Sequence, residues 1–413
     1  MLRGMHRRRV TDMHYSSMPS LRLLPLLLCA LGALPAQPAS PPAAWAPWVT
    51  QLRAYVAADR IVGAGAVLVR EGRIVARVNL GAQDQATGRA ATDSTIYHWG
   101  SITKTLTAIA ILQLRDRGRL SLDDRVTRYL PELRRVHDPF GMIDSITIRM
   151  LLSHSAGFRN GTWPYARGLP WEPFEPTSWE QLVAMMPYQE LLFRPGSRYG
   201  YSNPAYVYLA RIIEQLTGDP WDAYIHKNLF TPLGLTTSYF RSTPWWLESV
   251  RSANYTVIPD SVTKAVRTVQ NPTEFDPGIT TPNGGWNAPL DDLARYAAFL
   301  MNAEADRPRV ADAHLLSRAT LEEMWTPVVP MQEGYEADPT QGMGLGFFVR
   351  GTGRTRVIGH TGFQAGFRSF LYVNPATKSA IVVVFNTTND ADPAREAYDR
   401  LHRQAIALVQ GMP

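Results

Sequence analysis

The stretch that most limits how this chain can fold is TKTLTAIAILQLRDR, residues 103–117. It has no glycine or proline and is apolar on nearly every side through Leu114, so it cannot be a surface helix with one wet face. It predicts a buried helix stopped by Gly118, around which the rest of the fold has to be built. The head of that helix is polar. Ser101-Ile102-Thr103-Lys104 puts a hydroxyl at the N-terminus and an amine one turn later on the same face. The unpaired N–H groups of a helix start lie at the same point, at the positive end of the dipole. A hydroxyl, an amine and oriented donors are the parts of an activated nucleophile with the beginnings of an oxyanion hole.

Composition makes this lysine stand out. Of 42 basic residues only Lys104, Lys227, Lys264 and Lys378 are lysines, so arginine serves wherever charge alone suffices. A desolvated amine can lose its proton and act as a base, whereas a guanidinium stays charged. A bare Ser-x-x-Lys is a weak motif, and Ser261-Val262-Thr263-Lys264 fits it too. That second copy lies in a polar, proline-flanked stretch with no buried helix behind it.

Residues 1–39 read as a leader. Arg7-Arg8-Arg9 and Arg22 precede an apolar run, Leu23 to Leu34, followed by small residues and prolines, the layout of an export signal cleaved near Ala36 or Ala39. Met18 is an equally good start. The run is too short for a stable membrane anchor, so the expected location is periplasmic or secreted. Contact with a membrane is expected only if Cys29 is lipidated. The leader carries +4 of the formal +6 charge, so the high isoelectric point is no argument for nucleic-acid binding. Cys29 is the only cysteine, which leaves the mature chain without disulfides, a thiol nucleophile or thiolate metal ligands. The nine histidines show no ligand spacing, and neither a metal nor a cofactor is expected.

Both chain ends read as β-structure. Gly65 to Arg70 and Ile74 to Leu80 flank Glu71-Gly72-Arg73, and Phe367 to Val373 and Ala380 to Phe385 flank a turn-like segment from Asn374 to Ser379. A last helix is expected from Pro393 to Gln410 with Asp392 as its cap. The predicted class is α+β: an antiparallel sheet formed by both ends and flanked by helices, with a mainly helical insertion at about 103–300, all in one domain from 45 to 413. Loops rich in Trp and Pro, at 162–176 and at Pro244-Trp245-Trp246, interrupt the insertion.

Two further segments carry polar groups at structured positions. Tyr201-Ser202-Asn203-Pro204 opens a helical run ended by Gly218, with Asn203 read as the cap, which leaves Tyr201 on a loop tip held by a rigid helix. Gly359-His360-Thr361-Gly362 ends the expected strand Thr355 to Ile358. There a substrate can lie against strand backbone, though a plain turn fits as well.

In this order, Ser-Ile-Thr-Lys, Tyr-Ser-Asn and His-Thr-Gly, the three segments resemble the serine β-lactamase and penicillin-binding superfamily, in particular its class C β-lactamase-like branch of DD-peptidases and esterases. The resemblance runs over roughly residues 45–413 and extends to Met150 to Gly157, Phe230 to Leu235, Gly284-Gly285 and Asp292 to Ala294. It implies a serine hydrolase acting on ester, peptide or β-lactam substrates. Ser101 would be the nucleophile, with Lys104 and Tyr201 together as base; which of the two takes the proton stays open. The N–H groups of Ser101 and Phe363 would form the oxyanion hole, and Asn203 would touch Lys104 and a substrate amide. His360, Thr361 and Gly362 would line the substrate. His360 stands where β-lactamases have lysine, which shifts the expectation from β-lactams toward simple esters or D-peptides. Arg368 is a candidate for the missing charge, although a solvated strand residue is its plainer reading. His154 reads as a hydrogen-bonded core residue. The rival reading is a non-turnover penicillin sensor of the same fold.

Overall fold

The computed structural model describes residues 41–412 apart from 162–175, 260–262, 264, 272–277, 302–314, 333–340 and 365. The leader with Cys29, the Trp- and Pro-rich loop at 162–176 apart from Pro176, and Ser261 and Lys264 therefore lie outside the described residues.

Alternation in the first β-run separates two cores. In β1 (Gly63–Arg70), Val67 and Val69 join one core while Ala64, Ala66 and Leu68 join the other, as a strand buried on both faces must. β2 (Arg73–Asp84) returns through a loop of only Glu71 and Gly72, at φ 51° and 77°. Two positive φ values in a two-residue loop match the right-handed strand twist. β3 (Arg89–Ala90) ends this side of the sheet.

The other chain end completes it. β4 (Val329–Pro330), β5 (Gln341–Met343), β6 (Phe348–Arg350), β7 (Val357–Gln364), β8 (Phe367–Asn374) and β9 (Ser379–Phe385) give the order β3-β2-β1-β9-β8-β7-β6-β5-β4. Every pairing is antiparallel, and β9 lies beside β1 with Ala64 opposite Phe385. The sheet is thus built from both ends of the chain. The strand expected at 355–358 instead spans Val357–Gln364, while Thr355 sits in a 3₁₀ turn.

Helices cover both faces. α1 (Trp45–Ala58) and α5 (Asp392–Gln410) bury Trp48, Leu52, Leu401 and Ile406 against Phe370, Ile381 and Val383. α5 begins one residue before the expected Pro393 and is preceded by Ala391 with no side-chain cap. Asp392 is therefore no cap, and as the first helical residue it contributes its charge at the positive end of the dipole. On the other face lie α4 (Leu290–Leu300) and, within the same core, α2 (Thr103–Asp116). Every residue of α2 from Thr103 to Leu114 is buried; Leu106, Ile109, Ile111, Leu112 and Leu114 each add about 2 kcal/mol by leaving water. Gly118, at φ 68°, follows the helix end. α3 (Asn203–Thr217) packs on α2 and stops at the left-handed Gly218. The insertion is not all helix, since Ile96–His98 pairs with Asn287–Pro289 and Tyr255–Pro259 with Val266–Gln270. Trp245 and Trp246 open a 3₁₀ turn with both rings exposed. Among the described residues no helix is long and apolar enough to cross a membrane, and no group of three or more His, Cys, Asp or Glu could hold a metal ion.

Candidate active site

Gly100 sets the geometry around Ser101. Its φ is +54°, a left-handed conformation that favours glycine, and a Cβ there would stand 2.8 Å from the backbone nitrogen of Phe363. The preceding Trp99 donates its N–H to Trp286 O (2.8 Å). The Thr103 hydroxyl donates to Gly100 O (2.7 Å) and accepts Trp286 N–H (3.0 Å). The first turn of α2 is wound tightly, with Lys104 N–H on Ser101 O at 3.0 Å. Ser101 is thereby fixed at a helix start, half-buried, with its Oγ facing Lys104 Nζ.

Lys104 is wholly buried. Its Nζ donates to Ser101 Oγ (3.1 Å), to Asn203 Oδ1 (2.7 Å) and to the backbone oxygen of Asn283 (2.7 Å). The ring centroids of Tyr201 and Tyr206 lie 4.9 and 5.6 Å from it. Asn203 presents its oxygen to the amine because its amide nitrogen donates to Asn160 Oδ1 (3.1 Å), and its own N–H donates to Asn160 O (3.1 Å). This corrects the expected cap: Ser202, not Asn203, caps α3, accepting Ala205 N–H at 3.3 Å. Two adjacent cap-forming residues compete for one place, and the Asn203 amide is engaged by Lys104.

β7 brings the third segment to the same point. β6 pairs only with Val357, Ile358 and Gly359, so 360–364 run beyond its end, and among the described residues that edge of β7 has no strand partner. A Cβ on Gly362 would lie 2.0 Å from Trp99 O and 2.4 Å from Ser369 Oγ. This glycine, read as part of a strand end, sits inside the strand because backbone must approach backbone there. His360 is fully buried, stacked on Phe348 at 4.3 Å and 6.2 Å from the Tyr201 ring. Its Nδ1 lies 2.6 Å from Thr361 O, which makes Nδ1 the protonated nitrogen and leaves Nε2 without a hydrogen-bond partner among the described residues. Burial first, and then the positive Lys104, push its pKa down to about 3. A neutral imidazole therefore stands at this position at pH 7.

The fold thus gathers Ser101, Lys104, Tyr201, Asn203, His360, Gly362 and the backbone of Phe363. Thr361 is half-buried, next to His360. Alternation along β7 turns the Phe363 side chain to the other face, where the Arg368 guanidinium lies 5.5 Å from its ring and 4.5 Å from that of Tyr398. Arg368 is ion-paired to Asp390 at 3.0 Å, so it does not supply a cation to the site. Asn160 and Asn283 escaped the sequence reading, and so did the role of Gly100. Only the neighbouring Gly284-Gly285 pair gave a hint of Asn283. His154 is a buried, hydrogen-bonded residue, as its reading had it.

Comparison with known proteins places this geometry among relatives. The family model described as beta-lactamase matches residues 49–406. The Staphylococcus aureus protein Flp is 26% identical over 345 residues, 81% of this chain; the match covers only 61% of Flp's own length. The Burkholderia gladioli esterase EstB is 35% identical over 196 residues, covering 44% of this chain and 48% of the esterase. An octameric penicillin-binding protein homologue from Pyrococcus abyssi superposes with a TM-score of 0.72 at 26% identity, over 89% of this chain and 77% of that one. A family match over most of the chain, together with the same α+β architecture in a solved relative, leads to one conclusion: the chain belongs to the beta-lactamase family.

Proposed function

We propose that this protein is an exported serine hydrolase that opens ester or amide bonds through an acyl-enzyme on Ser101, with residues 45–413 as one catalytic unit. The observation that carries the reading is the 3.1 Å approach of Lys104 Nζ to Ser101 Oγ at a buried helix start. Ser101 Oγ attacks the substrate carbonyl carbon while its proton passes to the Lys104–Tyr201 pair. That proton goes on to the leaving alcohol or amine as the C–O or C–N bond breaks. Water, deprotonated by the same pair, then attacks the acyl ester and frees Ser101. The N–H groups of Ser101 and Phe363 hold the oxyanion, each worth about 3 kcal/mol of barrier. Asn203 orients Lys104, and the open edge of β7 lies along the substrate.

The chemistry draws only on these side chains, backbone donors and water. The neutral His360 offers no fixed cation for a carboxylate, which favours neutral acyl esters or D-peptide amides over penicillins. The likeness to a protein named an esterase points the same way. Against the rival reading of a penicillin sensor stand the intact trio Ser101, Lys104 and Tyr201 and the uncharged His360.

The test is to offer the protein p-nitrophenyl acyl esters and a fluorescent penicillin beside Ser101→Ala and Ser261→Ala. Turnover is expected to vanish in the first variant and persist in the second. Labelling or turnover that survives Ser101→Ala overturns the mechanism, and a stable penicillin label without ester turnover selects the sensor.

A further inference from the structure

His154 follows the short helix Ile148–Leu152 at φ 53°, a conformation uncommon outside glycine. A residue stays there when its surroundings over-determine it. The surroundings of His154 lead to Tyr201. Its carbonyl oxygen accepts Gly200 N–H at 2.7 Å and its Nδ1 accepts Ser202 N–H at 3.0 Å, so both chain neighbours of Tyr201 are bound to this one residue. The imidazole also lies on the phenol ring, with centroids 4.3 Å apart and planes at 28°.

The titratable groups that face the imidazole are Lys104 from α2, Tyr199 and Tyr201 from the loop, Tyr206 from α3 and His360 from β7. With Nδ1 accepting, the ring is the neutral tautomer protonated on Nε2. Burial, then the positive Lys104, hold its pKa well below the ordinary histidine range. His154 thus presents Tyr201 with an uncharged flat ring at every working pH. A helix-end residue with only a packing task would not need to bind the backbone on both sides of that tyrosine.

We propose that His154 is the positioning residue for Tyr201, fixing where the phenol stands relative to Lys104 and Ser101 through two backbone bonds and one ring stack. The part of this claim that concerns catalysis rests on the serine-hydrolase reading; the part that concerns the phenol's placement does not.

Two substitutions separate its contributions. His154→Asn tolerates positive φ and keeps a short acceptor while losing the ring; His154→Phe keeps the ring and loses the acceptor. Each is compared with wild type by ¹⁹F NMR of 3-fluorotyrosine placed at position 201, and by steady-state hydrolysis of p-nitrophenyl acetate, in the presence and absence of Tyr201→Phe. The fluorine resonance and its pH titration are expected to shift in both variants. Turnover (kcat) is expected to fall roughly 10²-fold, the effect of a misplaced catalytic group, with KM changed by no more than about threefold. In the Tyr201→Phe background the same substitutions should cost less than about twofold, because they act through the missing phenol. An unshifted fluorine resonance in both variants, or equal losses in both backgrounds, overturns the proposal. If His154→Phe does not fold, His154→Asn decides alone. If the wild type hydrolyses no ester, the serine-hydrolase reading falls, and the fluorine spectra still decide whether His154 positions Tyr201.

Discussion

Gly100 and Phe363 meet so closely that a single methyl group on Gly100 would stand 2.8 Å from the Phe363 amide nitrogen. The two residues flank the place proposed for the oxyanion, so the missing Cβ and the positive φ of Gly100 serve one purpose. Gly100→Ala is expected to cost about 1–2 kcal/mol in stability for its left-handed backbone, read from urea denaturation. By moving one oxyanion donor it should also lower kcat by roughly 10²–10³-fold. A variant that loses stability but keeps full turnover would detach Phe363 from the chemistry.

Asn203→Asp replaces an amide oxygen 2.7 Å from Lys104 Nζ with a carboxylate. An opposite charge at that range favours the ammonium form, so the variant should bind substrate normally yet turn it over slowly at neutral pH. The acidic limb of its pH–rate profile should move to higher pH. A profile identical to wild type would mean that the amine's protonation does not limit the reaction.

Buried neutral histidines predict acid sensitivity. Burial and then Arg251 lower His98 from 6.5 to about 4, and His360 is lowered to about 3. The unfolded chain therefore binds more protons than the folded one below about pH 6.5. These groups' contribution is fully present above that pH and is lost as pH falls, by about 1.4 kcal/mol per group per pH unit. Denaturation at pH 7, 6 and 5 should show this, and His98→Gln should flatten the slope by about one group's share. Equal slopes for wild type and variant would refute the linkage.

Arg368→Ala should leave kcat and the preference between neutral and carboxylate-bearing esters unchanged, because its guanidinium is held by Asp390 behind the sheet. A selective loss on carboxylate substrates would return Arg368 to the site.

Much of the fold was legible because its signals are local. The hairpin around Glu71-Gly72 and that between Phe367 and Phe385 follow from alternation and turn residues within a few positions. Ser101, Lys104 and Tyr201 were readable from residue type and order. What sequence could not settle depends on contacts across the fold. Whether Ser202 or Asn203 caps α3 is decided by Lys104, 99 residues away along the chain. Asn283 meets Lys104 through a backbone carbonyl, which every residue type possesses, so its identity carried no signal. The glycines around His360 looked like strand-end punctuation, yet Gly362 is there to let β7 approach Trp99 O.

The pairing of Ala64 with Phe385 sets a schedule for biosynthesis. A chain made from its N-terminus presents the β1–β2 hairpin early, and an isolated hairpin is only marginally stable in water. The apolar α2 follows at once, with the β9 half of its shelter still untranslated. Pairings this distant in sequence are slow to form, and unsatisfied apolar surface is exposed in the interval. The Ser101 and Tyr201 segments are thus synthesised long before β7 arrives. A chain that ends before Val357–Gln364 lacks the His360 and Phe363 side of the constellation, so the proposed nucleophile Ser101 has only part of its surroundings until β7 has been delivered.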